Sequence, residues 1–199
     1  MRVPQPPLVP KKTVRIRSAN HLVRTIVEDD ASERWAAWMR EPELVRMLNL
    51  RPREWSREEL VKYIAGFDQR QSLLLGIFEK ASGTHIGIMT VDINIVTRQF
   101  LINMLIGEAD HRHKGVTLEI TVPFRDYFFE TLGLETALAS VLAHNAPIIA
   151  YLHKTGWQLE RTLSGGAKSN AGGAPLDLCL FSLSREVWRA WKKAHAARR

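Results

Sequence analysis

The spacing of apolar residues switches repeatedly between a strand-like and a helix-like period, and each switch marks an element boundary. Ser72 to Phe78, Ile86 to Asn94 and Gln99 to Ile106 are short runs rich in Leu, Ile, Val and Phe, which predicts three buried strands. The links between them, KASGTH and IVTR, are short enough to make them antiparallel neighbours. His21 to Val27 predicts an earlier core strand, with Val14 to Arg17 as a short edge strand. Trp157 to Leu163 and Leu176 to Leu183 predict a closing hairpin, whose Gly-rich link SGGAKSNAGGAP is expected to be mobile.

Helical spacing fills the intervals. Trp35, Trp38 and Met39 fall at i, i+3 and i+4 behind two candidate caps, Asp29 and Asp30. A short helix over Glu43 to Leu48 follows Pro42, and Ser56 with Glu59 opens another over Arg57 to Phe67. Val116, Ile120, Phe124, Tyr127 and Phe128 line one face of a longer helix that Gly133 stops and that Pro123 is expected to kink or break. Asn145 predicts the cap of a helix over Ala146 to Lys154, and Ser184 that of a last helix bearing Trp188 and Trp191. Glu135 to Leu142 reads as a strand after the long helix, so strand, helix and strand need a parallel crossover. The predicted fold is α/β (α+β): a mixed, mainly antiparallel sheet flanked by helices.

The 199 residues, 45% of them hydrophobic, can bury one sizeable core. One domain is expected over residues 21–188, after a Pro-rich basic leader (1–20) that is partly disordered and before a basic tail (189–199). No apolar run approaches the ~20 residues that span a bilayer, and no signal segment opens the chain, so a soluble, cytoplasmic protein is expected. Cys179 is the single cysteine and reads as a small buried hydrophobe. The net charge of +7 sits at the ends: residues 1–17 and 185–199 carry +5 each, leaving −3 for the body. Solvated basic termini explain this better than a nucleic-acid surface does.

Between Ile106 and Val116 the chain passes from strand to helix through Arg112, His113, Lys114 and Gly115. Free backbone N–H groups and the positive helix end converge at such a turn, which suits a phosphate; an ordinary turn with solvated charges is the competing reading. Arg112-x-x-Gly115-x-Thr117 resembles the pyrophosphate-loop motif (Arg or Gln)-x-x-Gly-x-(Gly or Ala) of the GNAT superfamily of N-acetyltransferases. Asn145 to Trp157 resembles that family's Asn-led helix ending in Gly-Phe, Leu22 to Leu48 its opening strand and helix pair, and Asp177 to Trp188 its last strand. The branch it looks closest to includes ribosomal-protein N-terminal acetyltransferases.

The resemblance implies acyl transfer from acetyl-coenzyme A to a primary amine of a small molecule or protein N-terminus, at a sheet splayed beside the pyrophosphate loop. It implies that the pantetheine arm follows Ile106 and Gly107. The phosphates would meet N–H groups of His113, Lys114, Gly115, Val116 and Thr117, the Arg112 or Lys114 side chain, and the neighbourhood of Asn145. Glu108 is the candidate base for the amine, with a solvated carboxylate as the equal alternative. Tyr151 is the candidate proton donor to the thiolate. The positions that often hold Ser or Tyr in the family, counted from Asn145, are Ile148 and Leu152, and Tyr151 lies one residue, about 100°, away. Thr117 and His113 also depart from the family's smaller residues. No metal is implied, since His111 and His113 alone make no site. A non-catalytic module that binds acyl-coenzyme A or a partner is the alternative function. The body charge of −3 mildly favours a cationic acceptor, entering between residues 31–67 and the hairpin loop 164–175. No membrane partner is expected, and a homodimer stays open.

Overall fold

The computed structural model describes residues 11–51 and 54–196. The proline-rich start of the expected leader and the last three residues of the expected tail lie outside them. The described strands are β1 (Arg15–Arg17), β2 (His21–Thr25), β3 (Ser72–Glu79), β4 (His85–Asn94), β5 (Gln99–Ile106), β6 (Thr136–Leu142), β7 (Gln158–Ala167) and β8 (Leu176–Ser184). They form one sheet in the order β1-β2-β3-β4-β5-β6-β8-β7, antiparallel throughout except between β5 and β6.

That parallel pair is short. Gln99, Phe100 and Leu101 lie opposite Thr136, Ala137 and Leu138, and beyond them the two strands have no mutual register. Each instead stays with its outer neighbour, β5 with β4 as far as Ile106 opposite Gly87, and β6 with β8 as far as Leu142. The sheet therefore opens between β5 and β6, as expected beside the basic turn.

Six helices cover the two faces of the described sheet: α1 (Glu33–Arg40), α2 (Pro42–Met47), α3 (Arg57–Ala65), α4 (Val116–Asp126), α5 (Ala146–Lys154) and α6 (Arg185–Ala196). Central strands alternate between two apolar clusters, as residues with a period of two must. Leu73, Leu75, Met89 and Val91 join Val116, Ile120, Phe124 and Trp188 on one face. Leu74, Ile88 and Leu105 join Trp35, Trp38 and Leu60 on the other.

Several local expectations need correction. Ser32, not Asp29 or Asp30, caps α1 by accepting from the Trp35 N–H at 3.3 Å, while Asp30 is taken by Arg24 and the Val27 N–H. Pro123 does not break α4, because the buried row Ile120, Phe124 and Phe128 holds both sides of it on the sheet; the helix ends instead in a π-helical turn, Tyr127–Thr131. The stretch from Arg189 is not a free tail as far as Ala196. It is helix α6, docked through Arg189 to Glu130, Lys192 to Asp126 and the Trp191 indole to the Lys154 carbonyl. The Gly-rich link is shorter than expected, since β7 runs on to Ala167, paired with Leu176.

Candidate active site

The turn after β5 is built to present backbone donors. Gly107 and Glu108 N–H groups both close on the Ile86 carbonyl, at 2.9 and 3.1 Å, and a 3-10 turn over Ala109–His111 follows. His113 (φ 60°) and Gly115 (φ 81°) then take left-handed conformations, and α4 begins at Val116. Gly suits such a φ, and His tolerates it better than a branched residue does. Among the described residues, no N–H of residues 113–117 donates to a protein acceptor. Five such donors at the positive end of an eleven-residue helix are groups that can cradle an anion.

The side chains around this cradle divide differently from the sequence expectation. The Arg112 side chain is turned to a carboxylate and to the strand end. Its Nη1 and Nη2 each donate to a Glu41 carboxylate oxygen at 2.5 Å, its Nε donates to the Ile106 carbonyl at 3.1 Å, and Nη2 also reaches the Gly107 carbonyl. Each partner holds the other charged: the hydrogen-bonded Glu41 raises the pKa of Arg112, and Arg112 lowers that of Glu41. This fork ties the strand end to the start of α2 and leaves exposed Lys114 as the nearby cation.

Glu108 is also elsewhere. Its carboxylate accepts from the Trp38 indole at 2.8 Å and pairs with Arg34 at 3.0 Å, in a surface cleft on the α1 side. It faces away from the opened strands because α1 packs there. Gly107 has its own reason: any Cβ would collide with the Trp38 ring, so glycine is required for helix packing. Ile106 and Val116 pack in the core, their contribution to the turn being backbone.

Where β5 and β6 part, the structure holds a cavity of about 280 Å³ reaching both faces of the sheet. Ile102 and Met104 of β5 and Ala139 and Val141 of β6 form its sides, Thr117, Thr121 and Arg125 of α4 and Ile148 and Tyr151 of α5 one end. Met47, Asn49 and Asn145 lie at the other. Of the residues expected for the cofactor, Thr117 and Asn145 thus line the cavity, while His113, Lys114 and Gly115 form the exposed turn at the start of α4. Asn145 stands at the start of α5 but does not cap it with its side chain, which reaches the Met47 carbonyl at 3.4 Å and so links α5 to α2.

Tyr151 lies inside this cavity although Ile148 and Leu152 flank it. Its hydroxyl is 2.5 Å from Thr121 Oγ1 and 3.5 Å from Arg125 Nη2. Arg125 is 2% exposed and meets no carboxylate among the described residues. It donates to the Thr155 carbonyl and hydroxyl, each at 2.9 Å, and lies over the rings of Trp157 and Trp188. Burial lowers its pKa, and Tyr151 acts in the opposite direction. Sequence reasoning missed Thr121 and Arg125. The signal was there: Thr117, Thr121 and Arg125 recur at four-residue intervals, a polar seam beside the apolar face of α4.

Residues 21–158 match the family model described as the acetyltransferase (GNAT) domain. The chain belongs to the GNAT acetyltransferases. It is thus an acetyl-coenzyme A-dependent acetyltransferase by family. Among curated proteins, none matches the sequence.

Solved structures share the acetyltransferase fold at low identity. A GCN5-related N-acetyltransferase from Brucella melitensis superposes with a TM-score of 0.78 at 17% identity, covering 95% of this chain and 87% of its own. Spermidine N-acetyltransferase from Vibrio cholerae, in complex with CoA and spermine, gives 0.75 at 16% identity over 86% of this chain and 99% of its own. Mycobacterium smegmatis RimJ, in complex with CoA-disulfide, gives 0.74 at 19% identity over 92% and 94%. No helix of the described residues is long and apolar enough to cross a membrane.

Proposed function

We propose that this acetyltransferase carries the acetyl group of acetyl-coenzyme A to a primary amine, of a small molecule or a protein N-terminus, by direct attack on the thioester. The observation that carries the reading is the juxtaposition of the unpartnered N–H groups of residues 113–117 with the cavity between the parted strands. In this reading the turn and Lys114 hold the phosphates, and the thioester arm enters between β5 and β6 along unpaired backbone, much as a peptide adds to a sheet edge. A free N–H of the parted strand polarises the thioester carbonyl. Tyr151 gives a proton to the leaving thiolate.

Glu108 is withdrawn as the base, since Trp38 and Arg34 occupy it outside the cavity. The ammonium form of the acceptor loses its proton to water in the open mouth. The lining also revises the acceptor. Among the described residues it includes no carboxylate, and Arg125 is the one charged side chain. Three acids of the body are engaged elsewhere: Glu41 by Arg112, Glu108 by Arg34, and Glu119 by Ser18, Asn20 and His21. An amine on a neutral or apolar body fits this wall better than a polycation.

Thiol release from acetyl-coenzyme A, measured against phenethylamine, an alanine-led peptide, spermidine and an aminoglycoside, tests this. Turnover highest with either of the first two is expected. Preference for spermidine would overturn the acceptor reading. Tight coenzyme A binding with no release under any amine would favour a non-catalytic binding module.

A further inference from the structure

We propose that Thr121 and Arg125 are positioning residues for Tyr151, holding its phenol oxygen and stabilising the phenolate formed when its proton passes to the leaving thiolate. The proposal rests on Tyr151 being the proton donor of the reaction proposed above.

The hydrogen-bond count sets the logic. Thr121 has one hydroxyl proton and two oxygens in reach, the Thr117 carbonyl at 2.6 Å and the Tyr151 hydroxyl at 2.5 Å. With that proton on the Thr117 carbonyl, Tyr151 donates to Thr121. Once Tyr151 has given its proton away, the Thr121 hydroxyl can turn to donate to the phenolate, leaving the Thr117 carbonyl with its helical role. The same oxygen therefore has a partner before and after the transfer.

Arg125 supplies the charge. A guanidinium that is 98% buried is expected to be paired, yet among the described residues no carboxylate meets it, and the C-terminal end of α5 and two aromatic faces hold it. Its Nη1 bonds the Thr155 carbonyl at 2.9 Å, and its carbon lies 5.4 and 5.1 Å from the Trp157 and Trp188 ring centres. These contacts fix the group without neutralising it. Its Nη2 stands 3.5 Å from the Tyr151 oxygen, a long contact to a neutral phenol that a negative oxygen would shorten.

The step balances. The amine nitrogen bonds to the thioester carbon, the carbon–sulfur bond breaks with its electron pair on sulfur, and sulfur takes the Tyr151 proton. The phenolate then recovers a proton, through water, from the nitrogen that has become an amide. Arg125 keeps its own protons throughout and acts through the phenol oxygen.

The test is steady-state kinetics on the full chain with acetyl-coenzyme A and the best amine of the panel above. Tyr151→Phe is expected to lower kcat by about a hundredfold or more. Arg125→Gln is expected to lower kcat about ten- to a hundredfold, with KM for acetyl-coenzyme A nearly unchanged, and Arg125→Lys to recover part of the loss. The decisive measurement is the double variant Tyr151→Phe/Arg125→Gln. It should be no slower than Tyr151→Phe alone, because Arg125 acts through the phenol.

Multiplying losses in the double variant, or Arg125→Gln with wild-type kcat while Tyr151→Phe is impaired, would overturn the positioning role and leave Tyr151 in place. Wild-type kcat in Tyr151→Phe would remove both. Should Arg125→Gln fail to fold, Thr121→Val, which keeps the volume and removes the hydroxyl, gives the same cycle. Its loss should vanish in the Tyr151→Phe background; an equal loss in both backgrounds overturns the proposal.

Discussion

The turn before α4 and the inner end of the cavity each centre on an arginine, and the two are treated in opposite ways. Arg112 is forked onto Glu41, its charge cancelled by a carboxylate and its remaining donors spent on the carbonyls of Ile106 and Gly107. Arg125 is more deeply buried and meets no carboxylate among the described residues. An arginine paired in this way spends its donors inside the protein. An arginine held by a helix end and two indoles keeps its field available to whatever negative charge develops nearby.

The contrast can be broken most forcefully at Glu41. Glu41→Ala leaves the half-buried Arg112 guanidinium without its counter-charge and is expected to cost about 2 kcal/mol in urea unfolding, between the values for exposed and buried pairs because solvent reaches both partners. Coenzyme A affinity should fall with it, as the strand end loosens. Unchanged stability would mean that the fork is not what fixes the turn.

Acid should probe the same side. His85 stacks on Phe78 and meets Trp38 edge-on, and burial pushes its pKa from 6.5 down to about 4. The unfolded chain therefore takes up a proton before the folded one does. The stability contribution of His85 is full above pH 6.5 and is lost as pH falls toward 4. At pH 5 the loss is about 2 kcal/mol, which His85→Phe should remove from the pH dependence of unfolding.

Lys114→Ala sharpens the division within the turn. Removing the exposed cation should weaken coenzyme A binding by about tenfold in calorimetry without altering stability, the reverse of the balance expected at Arg112.

The smallest effect is expected at the far end of the cavity. Asn49, at φ 50°, accepts from the Asn170 N–H at 2.8 Å and donates to the Lys168 carbonyl at 2.8 Å, which pins the hairpin loop against α2. Asn49→Ala should raise acceptor KM by severalfold, about 1 kcal/mol, while leaving coenzyme A affinity alone. A change in coenzyme A affinity instead would move this clasp to the cosubstrate side.

Much of this was legible in the chain. The short apolar runs Ser72–Phe78, Ile86–Asn94 and Gln99–Ile106 and the short links between them specified three neighbouring antiparallel strands, because such links leave no room for a crossover. The return to strand at Glu135–Leu142 required the parallel crossover, and Gly115 marked the turn into α4. Charge was less informative. The −3 of the body suggested a cationic acceptor, and among the described residues no carboxylate lines the cavity, since net charge says nothing of which side chains face one another.

By itself, then, the sequence determined the order and type of the elements, the turn where backbone donors gather and the family, because these depend on local periodicity and on a few residues spaced along one segment. Which side chains face the cavity was decided only by tertiary structure. Glu108 lies next to the turn in sequence but is claimed by Trp38 and Arg34. Arg112 sits at the motif position but is claimed by Glu41, 71 residues away. Tyr151, one position off the family pattern, still reaches the cavity, because α5 packs on α4 so that its hydroxyl meets Thr121 across a separation of 30 residues. A side chain's partners are set by which helix crosses which strand, and that is a property of the assembled core.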